Sequence, residues 1–148
     1  MHREYPKAPI VGVGAVVVRQ EKVLLIRRAN TPNRGQWSIP GGTVELGETL
    51  AQTAIREVRE ECAIEIEPGD VLSVFDLIQR DTNGRIRYHY VLIDLAARHV
   101  SGEAVAGTDA VEVCWADEMD LGRLDIIPRL LPVLRKALQR ESQLPNSH

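Results

Sequence analysis

Aromatic and sulfur-containing side chains are scarce in this sequence. Aromatic residues make up 4% of the 148 residues, and the chain has two cysteines, Cys62 and Cys114. Two cysteines cannot build a disulfide framework, and these two lack the spacing of metal-binding motifs. We therefore interpret both as buried thiols in a reducing cytosol, and predict a cytoplasmic protein.

Long hydrophobic runs and a strong charge of either sign are also missing. No apolar run approaches the roughly 20 residues that a membrane-spanning helix needs, and the first residues, MHREYPKAPI, lack the apolar core of a secretory signal. The formal net charge is −3, which gives no electrostatic basis for binding a nucleic-acid polymer. The sequence therefore predicts neither a membrane partner nor a nucleic-acid partner.

The composition that remains is that of a folded domain. Hydrophobic residues make up 44% and charged residues 26% of the chain, and a chain of this length usually forms one domain. We predict a single domain over residues 1–148, with flexible polar ends at residues 1–9 and 141–148.

The order of sequence patterns predicts an α+β fold with helices packed on a mixed sheet. Val-rich and alternating segments indicate strands, and Asn83-Gly84 is a strong signal for a hairpin turn. Pro128 is tolerated in the first turn of the last helix, whereas Pro132 could kink it. The predicted strands are Val11–Val18, Val23–Arg27, Val71–Gln79, Ile86–Leu95 and Val111–Trp115, and the predicted helices are Leu50–Cys62 and Ile127–Gln139.

One segment is more informative than the rest: residues 42–64, GTVELGETLAQTAIREVREECAI. Within it, Glu57, Glu60 and Glu61 have helical spacing and share an arc of about 100° on the predicted helix. Three like charges on one face destabilise an isolated helix. A divalent cation would turn this cost into a binding site, because hard cations prefer carboxylate oxygens.

Another face of the same helix is predicted to pack against the core. This apolar stripe consists of Leu50, Ala51, Ala54, Ile55, Val58 and Cys62. One short helix would therefore dock on the core and present its carboxylates to a cleft.

The residues around the acidic helix also fit a metal site. Gly41 and Gly42 have no Cβ atom, so backbone carbonyls, such as that of Gly41, can approach a metal or a phosphate closely. Arg56 can hold a glutamate in place through a bidentate contact. Magnesium keeps several waters and binds few protein carboxylates. A site of this kind can neutralise a diphosphate, polarise phosphorus and activate a water.

A solvated surface is the usual role of a Glu-rich helix, and a bare EVREE sequence would favour it. Here, however, the acidic helix follows Pro40-Gly41-Gly42, and its residues recur at fixed spacings over about twenty positions. The positions concerned are Gly42, Glu48, Arg56, Glu57, Glu60 and Glu61. Such a pattern is difficult to obtain by chance, and we therefore favour a metal site.

The spacing of these residues resembles the Nudix box, and the order of elements resembles that of Nudix hydrolases along most of the chain. The resemblance implies an α/β/α sandwich with a mixed sheet. It also implies an enzyme that uses Mg²⁺, or sometimes Mn²⁺, to hydrolyse a nucleoside diphosphate linked to another group.

The resemblance also implies roles for individual residues. Glu57, Glu60 and Glu61 match the glutamates that bind the metal, and Glu57 or Glu60 would act as the base. Arg56 matches the arginine that orients the carboxylates, and Glu48 matches a supporting glutamate. The predicted catalytic residues are therefore Glu57, Glu60 and Arg56, and Gly42 supports them through the tight turn.

One position departs from the family pattern, which ends in glycine followed by an aliphatic residue. Here Ala63 stands before Ile64. The glycine usually caps the helix in a left-handed conformation, where alanine costs about 1 kcal/mol. We expect a slightly altered cap and no loss of catalysis, because no metal ligand is missing.

In this family, a further metal carboxylate often comes from a loop outside the box. The candidates are Glu112 and Asp109, followed by Glu103. An ordinary surface role is at least as common for each of these acids.

The substrate is less well defined by the sequence than the chemistry. Trp37, Phe75, Tyr88 and Tyr90 could stack on a base, and Arg27 is one of several arginines that could meet a phosphate, although core or solvated roles are common for such residues. Similarity to small bacterial relatives makes ADP-ribose the leading substrate. The alternatives are hydrolysis of nucleoside triphosphates, including oxidised ones, and nucleotide sensing without catalysis. Many relatives are dimers, which leaves a homodimer open.

Overall fold

The computed structural model describes residues 3–30, 33–107 and 110–143. The strands in this part of the chain are β1 (Ile10–Arg19), β2 (Lys22–Arg28), β3 (Trp37–Ser38), β4 (Gly41–Thr43), β5 (Glu65–Arg80), β6 (Ile86–Ser101) and β7 (Ala110–Ala116). The helices are α1 (Leu50–Cys62), α2 (Glu118–Leu121) and α3 (Leu131–Gln143), with a 3₁₀ turn at Pro128–Leu130.

One mixed sheet forms the middle layer of the molecule. Its strand order is β3–β2–β1–β6–β5, and in addition β4 pairs with β1 and β7 pairs with β2. β1 and β6 are parallel, whereas the other strand pairs are antiparallel. Helices α1 and α3 pack into two separate hydrophobic clusters on opposite faces of this sheet. The arrangement confirms the predicted α+β fold and its α/β/α layers.

The central strand β1 belongs to both clusters because its side chains alternate between the two faces. Val13, Ala15 and Val17 pack with α1, and Val16 packs with α3. All four side chains are at most 2% exposed. A Val-rich strand without polar alternation is therefore explained by burial on both sides.

Helix α1 has the bounds that the sequence predicts, and its start is fixed by a capping box. The N–H of Gln52 donates to the hydroxyl of Thr49 at 3.1 Å, and the N–H of Thr49 donates to the Gln52 side chain at 2.9 Å. Two backbone donors of the first turn are thereby satisfied.

The inward face of α1 differs from the predicted apolar stripe at Ala51 and Thr53. Ala51 is exposed, so its assignment to the stripe is wrong. Thr53 is fully buried instead, and its hydroxyl donates to the carbonyl of Thr49 at 3.1 Å. A threonine whose hydroxyl is bonded within the helix can be buried at low cost, which apolar periodicity alone does not reveal.

Strands β5 and β6 form a hairpin of two 16-residue strands, which is longer than predicted. The prediction that β5 begins at Val71 is wrong because the strand passes through Pro68 and Gly69. The pairing register shifts between Pro68 and Val71, so an irregularity accommodates both residues. At the other end, the chain turns at Asn83-Gly84 as predicted, with Gly84 at a φ of 82°.

The C-terminal helix is divided, which corrects the prediction of one continuous helix from Ile127. Residues Pro128–Leu130 form a 3₁₀ turn, and α3 begins only at Leu131. Pro132 therefore falls in the first turn of α3, where a missing N–H costs nothing, so the reason for expecting a kink is removed. Among the helices described, none is long and apolar enough to cross a membrane.

The N-terminal segment is fastened to the β5–β6 hairpin at Tyr5. Its N–H donates to the carbonyl of Arg87 at 2.8 Å, and its hydroxyl donates to Asp81 at 2.9 Å. Flexibility of residues 1–9 and 141–148 stays a prediction.

The two cysteines lie in different layers. Cys62 is fully buried in the cluster around α1, and burial raises the pKa of its thiol to about 12. Cys114 packs at the edge of the cluster around α3, and burial raises its pKa to about 11. At neutral pH both are therefore protonated thiols with low reactivity.

Helix α1 ends at Ala63, which has φ 60° and ψ 28° and donates its N–H to the carbonyl of Arg59. The expectation of an altered cap is therefore wrong, because the left-handed cap is kept without glycine. An alanine in the left-handed region is strained by its Cβ atom, which destabilises the folded protein by about 1 kcal/mol.

We predict that Ala63→Gly raises the free energy of unfolding by about 1 kcal/mol, because glycine adopts this φ without a Cβ penalty. The measurement is the denaturant midpoint, with Ala51→Gly in the exposed first turn of α1 as the control. The control is expected to lower stability by about 0.5–1 kcal/mol, as glycine does inside helices. An unchanged or lower midpoint for Ala63→Gly would contradict a strained cap.

Candidate active site

Arg56 is the centre of the hydrogen-bond network in residues 42–64, the segment that resembles the Nudix box and is called the box below. Its Nε and Nη2 donate to the two oxygens of Glu48, each at 2.8 Å, and Nη1 donates to Glu57 Oε1 at 2.7 Å. Nη2 also donates to the carbonyl of Thr43 at 3.1 Å. The bidentate contact expected for Arg56 is therefore made with Glu48, while Glu60 lies farther away, 3.7 Å from Nη1.

The two carboxylates bound to Arg56 have opposite pKa shifts. The hydrogen bonds from Arg56 hold the pKa of Glu48 at about 2, with help from the N–H of Glu45. Burial raises the pKa of Glu57, and the hydrogen bond from Arg56 opposes this only in part. Glu57 is thus a carboxylate with little solvent around it, and a bound cation would stabilise its charged form.

Two glycines bring the loop before α1 close to the acidic helix. A Cβ atom on Gly42 would lie 2.3 Å from Cδ of Glu57, so only glycine leaves room for this carboxylate. The N–H of Gly41 donates to Glu61 Oε2 at 3.0 Å, and Glu61 is only 8% exposed. Gly41 therefore positions a glutamate through its N–H, and metal binding by its carbonyl stays a prediction.

The three glutamates of the helix thus differ in exposure. The side chain of Glu60 is 54% exposed, that of Glu57 is 16% exposed, and Glu61 is buried. The helix presents one outer and two inner carboxylates along the same face.

The segment after β6 also contacts α1, and the sequence analysis missed it. The N–H of Gly107 donates to the carbonyl of Glu61 at 2.7 Å, and a Cβ atom on Gly107 would lie 2.3 Å from the carbonyl oxygen of Glu60. Because the contact is between residues distant in sequence, only the glycine itself could have suggested a close approach of the backbone here. Glu103 belongs to this segment and is exposed.

The other candidates for a metal carboxylate have different positions. Glu112 lies on β7 opposite Arg27 on β2, with Oε1 2.7 Å from Nε, in an ion pair that lacks the alignment of a hydrogen bond. Asp109 lies outside the described residues. A role for Glu103, Asp109 or Glu112 in metal binding stays a prediction, and an ion pair with Arg27 already accounts for Glu112.

The predicted substrate contacts of two aromatic residues are not favoured by their burial. Trp37 is 9% exposed within the cluster around α3, and Tyr88 is 7% exposed. Their rings offer little surface to a ligand. Arg27 is more accessible, with 37% of its side chain exposed beside Glu112.

The donor set of the box fits a hard divalent cation. Among the described residues, no three His, Cys, Asp or Glu side chains already converge as a metal site. The fit rests instead on Glu57, which is desolvated in the space left by Gly42, and on Glu60 and Glu61 beside it on the helix. Carboxylate oxygens of this kind suit Mg²⁺ or Mn²⁺ better than softer metals.

Comparison with known proteins agrees with this geometry. The chain belongs to the Nudix family, since a family model for the NUDIX domain matches residues 8–139. It is 34% identical over 116 residues to an ADP-ribose pyrophosphatase of Methanocaldococcus jannaschii, covering 78% of this chain and 66% of that protein. It is 38% identical over 136 residues to the CTP pyrophosphohydrolase of Escherichia coli, covering 90% of this chain and 94% of that protein. The chain is thus a member of the Nudix family by sequence and by fold.

Solved structures show the same fold. A NUDIX hydrolase from Nitrosomonas europaea has a TM-score of 0.74 at 28% identity, covering 97% of this chain and 78% of that one. The NUDIX domain of Shewanella oneidensis NrtR, complexed with ADP ribose, has a TM-score of 0.70 at 27% identity, covering 91% of this chain and 90% of that one.

We predict that Gly42→Ala lowers affinity for a divalent cation about 10–100-fold, the usual effect of disturbing the residues that orient a ligand. The new Cβ atom would displace the carboxylate of Glu57. Calorimetric titration with Mn²⁺ measures the change. Gly69→Ala is the control, because a Cβ atom there has its nearest neighbour at 3.6 Å. Equal affinity in both variants would show that the approach of Gly42 to Glu57 is unimportant.

We also predict that Glu48 makes stability depend on pH. Its pKa of about 2 lies below the usual 4.5, so its contribution is complete above about pH 4.5 and is lost as the pH falls towards 2. Glu48→Gln should therefore flatten the fall in unfolding free energy over this range. Chemical denaturation at several pH values tests this, with the exposed Glu118→Gln as control. If the unfolding free energy falls with pH equally steeply in Glu48→Gln and in the wild type, this prediction is wrong.

Proposed function

We propose that this protein hydrolyses the pyrophosphate bond of a nucleoside diphosphate linked to another group, with Mg²⁺ as the metal and ADP-ribose as the leading substrate. The observation that supports the chemistry most directly is the carboxylate of Glu57, which is packed against Gly42 and held by Arg56. A buried carboxylate with a raised pKa at a helix face of glutamates is suited to metal binding or to proton transfer.

The residues of the box divide the work. A divalent cation held by Glu57, Glu60 and Glu61 would neutralise the diphosphate and make phosphorus more electrophilic. Glu60, with its exposed side chain, or Glu57, with its raised pKa, would take the proton of the attacking water. Arg56 orients Glu57 and favours its ionised form, against the opposing effect of burial. For ADP-ribose, one water is consumed, and the products are AMP and ribose 5-phosphate.

ADP-ribose is placed first because of the similar proteins that act on it or bind it. One is the M. jannaschii ADP-ribose pyrophosphatase, and the chain spans only 66% of its length. Another is the NrtR domain, whose solved structure contains ADP ribose. These similarities support the choice of substrate to test, and a binding role without turnover is the corresponding alternative.

A second candidate function is hydrolysis of nucleoside triphosphates. The E. coli CTP pyrophosphohydrolase supports it, because the chain covers 94% of the length of that protein, more than it covers of the ADP-ribose relative. The same carboxylates would serve both reactions, since each breaks a phosphoric anhydride bond.

We predict that Glu57→Gln lowers kcat by about 10²–10⁴-fold, the usual contribution of a general base, while the circular dichroism spectrum is unchanged. The assay presents ADP-ribose, dinucleoside polyphosphates, the ordinary triphosphates and oxidised dGTP with Mg²⁺. A coupled phosphatase releases phosphate from monoester products. Glu67→Gln is the control, because Glu67 is 68% exposed and pairs only with Arg98 among the described residues.

The panel separates the candidate functions. Turnover of one substrate class that is lost in Glu57→Gln supports hydrolysis and identifies the substrate. Full activity in Glu57→Gln would refute the role of this residue. Binding of ADP-ribose with no turnover of any substrate would replace the enzyme hypothesis with nucleotide sensing.

A further inference from the structure

A second charged group of residues lies away from the box, on the sheet face covered by α3. Asp94 on β6 is only 1% exposed. Its Oδ2 accepts hydrogen bonds from the hydroxyl of Ser73 and from Nη1 of Arg129, each at 3.0 Å. Because a buried carboxylate is costly without such partners, Asp94 fixes the position of the Arg129 guanidinium.

Arg129 is held on a second side by an aromatic ring. Its Cζ lies 5.2 Å from the centroid of the Phe75 ring. The side chain of Arg129 is 22% exposed, and Phe75 is 38% exposed. The guanidinium is therefore held in place by a hydrogen bond to a carboxylate and by stacking on an aromatic ring, and the side chain is still partly exposed to solvent.

The position of this group relative to the box is set by the pairing of β1. Gly14 on β1 is paired with Asp94 on one side and with Gly41 on the other. Asp94 thus lies two strand spacings from Gly41, or about 10 Å. This is the separation of the two backbone positions within the sheet, and a nucleoside with its phosphates is long enough to span it.

The glutamates lie on the α1 side of the sheet and Arg129 on the α3 side, and β4 is the short strand beside the glutamates. This strand has three residues and pairs with β1 alone among the described strands. Its other edge is therefore not covered by a further strand. A nucleoside whose diphosphate lies at the glutamates of α1 would pass this short edge to reach the face that carries Arg129.

We propose that Arg129, pinned by Asp94 and layered on Phe75, is the platform on which the nucleobase of the substrate stacks, with purines preferred over pyrimidines. The inference rests on the proposed function and specifies the base that the same site takes. Guanidinium planes and aromatic rings are common stacking partners of bases. A purine presents the larger ring surface, so it gains more from a flat platform.

A purely structural role for Arg129 would require a different property of the side chain than stacking does. Neutralising Asp94 requires only a positive charge, which lysine also supplies. Stacking requires a planar cation, which lysine lacks. Arg129→Lys therefore separates the two roles while retaining the partner of Asp94.

The test measures kcat/KM for ADP-glucose, GDP-glucose, CDP-glucose and UDP-glucose, which share the diphosphate and the sugar and differ in the base. In Arg129→Lys the ratio of purine to pyrimidine substrates should fall about tenfold, mainly through KM, since stacking on one side chain is worth about 1–3 kcal/mol. Phe75→Leu should act in the same direction. Arg135→Lys is the matched control, because Arg135 lies on α3 in an exposed pair with Glu118.

Direct binding distinguishes failure of the platform from failure of the proposed function. AMP, GMP, CMP and UMP are titrated calorimetrically into the wild type and Arg129→Lys without added metal. Tighter binding of AMP and GMP that is lost in Arg129→Lys supports the platform even when no substrate is hydrolysed. Equal binding of all four nucleotides, or a purine-to-pyrimidine ratio that is the same in both proteins, would overturn it.

Discussion

The hydrogen bonds of Arg56 are the constraint on which the geometry of the site depends. This one guanidinium joins three parts of the chain: Glu48 before the helix, the carbonyl of Thr43 on β4, and Glu57 on the helix itself. It keeps Glu48 ionised and partly offsets the burial of Glu57. Because its contacts are in one plane, lysine could not make them together. The loop, strand and helix therefore form one rigid unit.

Close backbone contacts place this unit on the rest of the fold. Gly42 gives space to the carboxylate of Glu57, Gly41 donates to Glu61, and Gly107 lies against the carbonyl end of the helix. Each contact is made where a side chain would collide with a neighbour. The carboxylates thus acquire fixed positions from the backbone, whereas their charges remain to be balanced by a ligand.

Local patterns explain most of what the sequence predicts correctly, and long-range contacts explain what it misses. The bounds of α1 follow from its periodicity and the capping residue Thr49. The extent of β5 past Pro68 does not, because an irregular pairing with β6 tolerates the proline. In the site, the box spacing indicates the glutamates. The pair Asp94–Arg129 joins residues 35 positions apart, and no local signal announces it.

Chemical labelling of the two native thiols can detect local opening of the structure. Cys62 belongs to the α1 cluster and Cys114 borders the α3 cluster, and burial suppresses the reactivity of both. A thiol reagent can therefore modify the fully buried Cys62 only when the layer around α1 opens, whereas Cys114 is partly exposed and is protected mainly by its raised pKa. The rate of labelling at Cys62, compared with that at Cys114 in the same molecule, would therefore measure how often the α1 layer opens, without any engineered probe.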